Sequence, residues 1–298
     1  ITFVALVTAT LVYLKMASPN AKLEILQTFL LAGHHMKKMG FGALYHVRPH
    51  EVTPDNRAIC RMKIPAHLCG PSKMGMPLSV LMAIFDDVST WSAVISEPKK
   101  RPGVSVHLEA KWRASGDSPI LPEDRMIRIE SSLIKKGSTM AFIKMECLDD
   151  KTNELLAEGR HTKFLPMPFA YEFIFQHLFP FVEVISSTFG GEAKKNDALI
   201  EAASEKGIYQ HIGKLDWSRE KEGVATGSLK VLPIHKNPMG GFHGGAQSVV
   251  AQLAAEEIKK GSNSSVREMQ MTYMSTGKGE VDIEAVKEGE DVRVLLRK

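Results

Sequence analysis

Leu232-Pro233-Ile234-His235-Lys236-Asn237-Pro238-Met239-Gly240-Gly241-Phe242-His243-Gly244-Gly245 leads out of a strand-like run, Val224–Leu232, into a helical stretch that reaches about Lys259. The same order is met earlier in the chain. A strand-like stretch from Leu44 to Ile64 ends in Ile64-Pro65-Ala66-His67, a loop runs from Gly70 to Pro77, and Leu78 to Ile95 follows as a long apolar segment. Strand, Pro and His, loop, then helix, written twice, marks an internal duplication. What comes after each helix agrees. Val104–Trp112, Met126–Lys135, Thr139–Leu148 and a stretch ending in Leu155–Phe164 read as strands in the first copy. Arg267–Met274, Gly279–Val286 and Asp291–Leu296 read as strands in the second.

Leu78–Ile95 is apolar nearly all round, broken only by Asp86-Asp87, and a helix of that kind is buried. One central helix followed by antiparallel strands is the layout in which a curved sheet wraps a single helix. The expected class is therefore α+β, with one such unit over residues 23–165 and another over 197–298. With 298 residues the chain has room for two domains of ordinary size. Lys214–Trp217 is a further strand-like stretch before Val224, and Thr53-Pro54-Asp55-Asn56 a turn cluster.

Three segments stand outside the two units. Residues 1–22 are led by Ile1–Leu14, nearly all apolar but shorter than the roughly 20 residues that span a bilayer. They read as a targeting or anchor remnant through which the chain would meet a membrane, or as sequence upstream of a start at Met16. Leu23–Met39 has helical spacing, with His34 and His35 on different faces. Residues 166–196 crowd aromatic side chains around Pro180 and read as a connector, with Ala198–Lys206 helical beyond it. The second copy stops at Lys298 without an equivalent of the last strand of the first, and the chain opens on Ile1; the expectation is a sequence clipped at both ends, with an unpaired sheet edge.

Composition excludes more than it assigns. A formal charge of +4, from 38 basic and 34 acidic residues, is too mild for a nucleic-acid partner. Three cysteines, Cys60, Cys69 and Cys147, make neither a disulfide framework nor a zinc set, and point to packing roles in a reducing compartment such as cytoplasm or mitochondrion. No metal and no redox cofactor is expected.

Asn237-Pro-Met-Gly-Gly-Phe-His243-Gly244-Gly245 resembles the N-x-x-G-x-x-H-G-G loop of hotdog-fold acyl-CoA thioesterases. The first copy is similar to the same family at Asp86-Asp87-Val88-Ser89-Thr90, Gly103-Val104-Ser105-Val106 and Ala157-Glu158-Gly159-Arg160-His161-Thr162-Lys163, and the second at Met271-Thr272-Tyr273-Met274-Ser275. The resemblance implies a tandem double hotdog acting on acyl-CoA, with coenzyme A present only as part of the substrate, and pairing of double hotdogs into a homodimer is a further expectation. In that family one unit gives Asn, His and Gly from the loop and helix start. The facing unit gives an acid, nine positions after the motif histidine, and a strand serine.

Applied here, that spacing gives complementary losses. Nine positions after His243 is Gln252, and Val266 stands at the serine position. Counting back from Asp86 puts Pro77 and Leu78 at the His-Gly positions and Pro71 at that of Asn. The second copy keeps Asn237, His243 and Gly244; the first keeps Asp86 and Ser105. One of two pseudo-symmetric sites is expected to survive, with Asp86 as base or nucleophile and the Gly244 N–H at the helix start as oxyanion donor. His243 and Asn237 would orient carbonyl and water, and Ser105 would hold the water. Arg160, Lys163 and Lys278 are the expected phosphate contacts. The rivals are a hotdog hydratase or dehydratase, whose Asp-x-Asn-Pro-Leu-His order Pro233–Pro238 does not follow, and a non-catalytic acyl-CoA-binding protein.

Overall fold

The computed structural model of the chain describes residues 18–24, 26–27, 41–42, 47–70, 75–113, 121–166, 207–213, 215, 217–237, 240–259, 266–273 and 279–297. Ile1–Leu14, Lys278, the Ala198–Lys206 helix and all but the first residue of the aromatic connector lie outside them, as does most of Leu23–Met39. Residues 19–24 are helical, with the Ser18 hydroxyl accepting from the Ala21 N–H at 3.2 Å.

The first unit begins with a hairpin, β1 (Glu51–Val52) and β2 (Ala58–Lys63), folded at Thr53–Arg57. Asn56 takes φ 63° there, a turn conformation that Asn tolerates. After the loop comes α1 (Leu78–Ser96), then β3 (Val104–Trp112), β4 (Met126–Lys136), β5 (Met140–Asp149) and β6 (Leu155–Phe164). All but three of α1's 19 residues are buried. The sheet covers one side; α1 lies so close to β6 that a Cβ on Gly159 would stand 2.7 Å from the Phe85 ring and from the Glu109 carbonyl oxygen. Glycine is what that close approach needs. α1 is the one described helix long and apolar enough to cross a membrane, and 89% of its apolar window is buried inside the protein.

The second unit supplies α2 (Ile208–Ile212), β7 (Trp217–Lys221), β8 (Val224–Lys230), α3 (Gly244–Ile258), β9 (Glu268–Thr272), β10 (Glu280–Glu288) and β11 (Asp291–Arg297). Of the stretch expected as a strand over Lys214–Trp217, Lys214 and Asp216 lie outside the described residues, and β7 begins at Trp217. α3 packs along α1. The Ser248 hydroxyl donates to the Ser79 carbonyl at 2.9 Å, and the Gln252 side-chain oxygen accepts from the Ser79 N–H at 3.2 Å.

The strands form two antiparallel sheets, ordered β1-β2-β4-β5-β6-β3-β9 and β11-β10-β8-β7. β9, from the second unit, extends the first unit's sheet by pairing with β3. Glu109 stands opposite Gln270 in that ladder, and the alignment that puts Ser105 on Val266 also puts Glu109 on Gln270. Equivalent residues meet at the centre, as a pseudo-twofold axis requires. In the first unit β6 lies between β5 and β3; at the matching place between β11 and β9 no described strand stands. A cavity of ≈ 1190 Å³ lies there, floored by α3 and walled by Met269 and Met271 on one side and Val292 and Val294 on the other. The fold is α+β, two helix-bearing antiparallel sheets consistent with a double hotdog.

Candidate active site

Asp86 sits in the middle of α1 and is 6% exposed. Its carboxylate accepts from the Ser105 hydroxyl on β3 at 3.0 Å. The Lys163 ammonium lies 3.6 Å away, His161 Nε2 3.7 Å and His243 Nδ1 3.9 Å. Burial by itself pushes the carboxyl up, but Lys163, His161, His243 and the Ser105 bond together hold it at about 2. His161 is driven well below its ordinary value by burial and by Lys163, against the pull of Asp86, and among the charges around Asp86 that of Lys163 pulls hardest on it. Burial draws the Lys163 pKa down against the upward pull of Asp86 and Asp87.

The other side of the site is the start of α3. His243 is its N-cap, with Nδ1 accepting from the Gly245 N–H at 3.0 Å and Nε2 facing Asp87 Oδ1 at 3.4 Å. Gly244 opens the helix, and its N–H is among the first-turn amides that no helical carbonyl reaches. A Cβ on Gly244 would stand 2.6 Å from Asp86 Oδ2 and 3.0 Å from the Tyr273 hydroxyl. So the carboxylate of the first unit rests against the bare helix start of the second, and only glycine fits between them. The expected residues Asp86, Ser105, His243 and Gly244 are brought together.

The pseudo-symmetric partner of this arrangement is present and chemically different. Gln252, standing where an acid would, also meets the start of the facing helix, where its oxygen caps the Ser79 N–H. Its amide nitrogen donates to Glu256 at 2.7 Å. Pro77 at the head of α1 has no N–H to offer, and glutamine does not ionise. The same contact that places a carboxylate in one half serves as a helix cap in the other.

The remaining expected residues stand elsewhere. The Asn237 side-chain oxygen closes its own loop by accepting from the Gly241 N–H at 3.0 Å. Arg160 is on the outer face of β6, its side chain 75% exposed, 3.8 Å from Glu109. Lys163, expected at a phosphate, is 2% exposed and turned in to Asp86. Its place follows from strand alternation, which puts His161 and Lys163 on one face of β6 and Arg160 on the other. Asp87, next to Asp86 on α1, faces His243. His161 and Tyr273 were not singled out as site residues. Ser89 links His161 to α1, its hydroxyl 2.6 Å from His161 Nδ1 and 2.8 Å from the Asp86 carbonyl. Among the described residues no group of three or more His, Cys, Asp or Glu is arranged to hold a metal. Cys60, Cys69 and Cys147 are free and buried.

No family model matches the chain. It is 28% identical over 145 residues to acyl-coenzyme A thioesterase 13 of Homo sapiens, covering 48% of this chain and 92% of that protein. To the Mus musculus protein of the same name it is 31% identical over 110 residues, covering 37% of this chain and 73% of the relative. Among solved structures, thioesterase superfamily member 2 from Mus musculus matches at 26% identity and a TM-score of 0.37, over 47% of this chain and 98% of that one. Each of these alignments takes in about half of this chain or less and most of a relative. On the sequence match to the mouse relative, the chain belongs to the thioesterase-superfamily hotdog proteins, among which its relatives bear the name acyl-coenzyme A thioesterase.

Proposed function

We propose that the chain hydrolyses acyl-CoA thioesters at one composite site between its two units. The observation that carries this reading is the Asp86 carboxylate packed against Gly244 at the open start of α3. The thioester carbonyl lies on that helix start, its oxygen accepting from the Gly244 N–H, where backbone donors and the helix dipole favour developing negative charge. Asp86, with Ser105, orients a water against the carbonyl carbon. As the new C–O bond forms, Asp86 takes the water proton; the tetrahedral oxyanion then collapses, the C–S bond breaks, and the proton passes to the coenzyme A sulfur. In the alternative course the Asp86 carboxylate itself attacks the carbonyl carbon, and the C–S bond breaks with loss of the coenzyme A thiolate. Water then opens the resulting anhydride at the Asp86 carboxyl carbon, releasing the acid and restoring the carboxylate. A single turnover in ¹⁸O-water separates them, since attack by water puts the label in the first acid released. Arg160 and Lys278 are offered as contacts for the coenzyme A phosphates.

The test is thiol release from a panel of acyl-CoA esters. Wild type is expected to turn over at least one. Asp86→Asn, nearly unchanged in shape, should lose about 10²-fold or more of kcat with its circular dichroism intact. A folded Asp86→Asn protein as fast as wild type would sink the reading, and a wild type silent on every ester would favour a non-catalytic acyl-CoA-binding protein.

A further inference from the structure

The Tyr273 hydroxyl is a buried polar group that the scheme above does not use. Tyr273 follows directly after β9, and its backbone N–H is fixed to the Val106 carbonyl of β3 at 2.9 Å. Its Oη lies 3.0 Å, and its ring carbon Cζ 3.2 Å, from the point where a Cβ on Gly244 would stand. That oxygen is buried and has no hydrogen-bonding partner among the described residues. A buried hydroxyl left unpaired is costly, and in native proteins it calls for a reason, of which a catalytic role is one. Burial, and after it the charge of Asp86, drives the phenol well above its ordinary pKa. It is therefore an O–H donor throughout the neutral range.

The neighbours narrow what it donates to. Gly244 brings an N–H and no side chain; Asp86 accepts from Ser105 at Oδ1, while its Oδ2 faces the bare Gly244 from the same side as Tyr273 Oη, which bonds to neither oxygen. A carbonyl oxygen resting on the Gly244 N–H would come within reach of Oη, and it accepts without donating. We propose that Tyr273 is a catalytic residue, the second donor of the oxyanion pocket, with its phenol hydroxyl and the Gly244 N–H binding the thioester oxygen from the second unit while Asp86 acts from the first. This rests on the hydrolytic reading. The other half of the molecule is informative: the alignment of Ser105 with Val266 puts Trp112 at the place of Tyr273, so the half without the acid also lacks the hydroxyl.

The test variant is Tyr273→Phe, which keeps the ring and removes one oxygen. For loss of one oxyanion donor, kcat should fall about 10²-fold with KM little changed. A role confined to packing the acyl chain would instead move KM and chain-length preference and leave kcat. A second measurement does not need turnover. An acyl-CoA analogue with a methylene in place of the thioester sulfur and a ¹³C carbonyl is bound to each protein, and its carbonyl stretch is read in the infrared. Donation by Tyr273 lowers that frequency, so Tyr273→Phe should raise it. If wild type hydrolyses, Asp86→Asn does not, and Tyr273→Phe matches wild type in kcat and carbonyl frequency, the assignment of Tyr273 is overturned while hydrolysis stands. If wild type releases no thiol from any ester, hydrolysis fails, and an unshifted carbonyl in Tyr273→Phe would overturn the tyrosine as a carbonyl donor as well.

Discussion

His243 is pulled in two directions by its two ring nitrogens. Nδ1 must be unprotonated to accept from the Gly245 N–H and cap α3. Burial also disfavours the imidazolium, yet the hydrogen bond and charge of Asp87, helped by Asp86, lift its pKa above the ordinary 6.5. As pH falls through that raised value, Nδ1 gains a proton, the cap is lost, and two donors face each other at the helix start. Activity should therefore decline on the acid side through His243, while Asp86, at about 2, stays ionised across the same range. Asp87→Asn removes the strongest upward pull, so the acid limb of a kcat/KM profile should move to lower pH. An acid limb that stays in place in Asp87→Asn would remove His243 as its source. At this scale the sequence was readable where geometry is local. Nine positions along a helix is a fixed displacement, so the spacing from His243 located the equivalent of Asp86. Tyr273 was not legible, because what it faces depends on the register of β9 against β3, set across the two units. Lys163, expected at a phosphate, is buried instead, because it shares the inner face of β6 with His161.

The helices show how one element can carry two fates. α1 and α3 begin at equivalent places, pack against each other and meet, at equivalent positions, a side chain from the opposite helix: Asp86 on α3, Gln252 on α1. Gln252 is 5% exposed, and its contribution is the cap on the Ser79 N–H and the bond to Glu256. Gln252→Ala should then leave kcat close to wild type while costing about 1 kcal/mol of stability, the ordinary worth of a lost cap or buried hydrogen bond. Denaturant unfolding beside the thiol-release assay reads both. A loss of turnover equal to that of Asp86→Asn would mean that both halves work. The element order was legible because α1 is apolar all round and each strand is bounded by turn residues. Val104–Trp112 and Leu155–Phe164 are strands over the spans expected. Ile208–Ile212 was not legible, because a five-residue helix closed by Gly213 is too short to show a period.

For the whole molecule, the question is how two units are joined so as to hold the proposed site between them. The β3–β9 ladder does this, since Ser105 lies on β3 and Tyr273 at the end of β9. The ladder also makes a prediction about the far edge of β9. Tyr273 donates to the Val106 carbonyl and Trp112 to the Arg267 carbonyl. Antiparallel pairing alternates, so the amides of Met269, Met271 and Tyr273 point to β3. Those of Glu268, Gln270 and Thr272 then point the other way, into the cleft that separates β9 from β11. An amide in a ladder exchanges only when the strands open, whereas an amide at an unpaired edge exchanges with little hindrance. Hydrogen exchange followed residue by residue by NMR tests that edge: Met269, Met271 and Tyr273, whose amides face β3, should exchange slowly, and Glu268, Gln270 and Thr272 should match them only where a further strand pairs with β9. Uniform protection would mean that a strand pairs with β9 from the cleft side, as β6 pairs with β3 in the first unit, and that the two sheets are one.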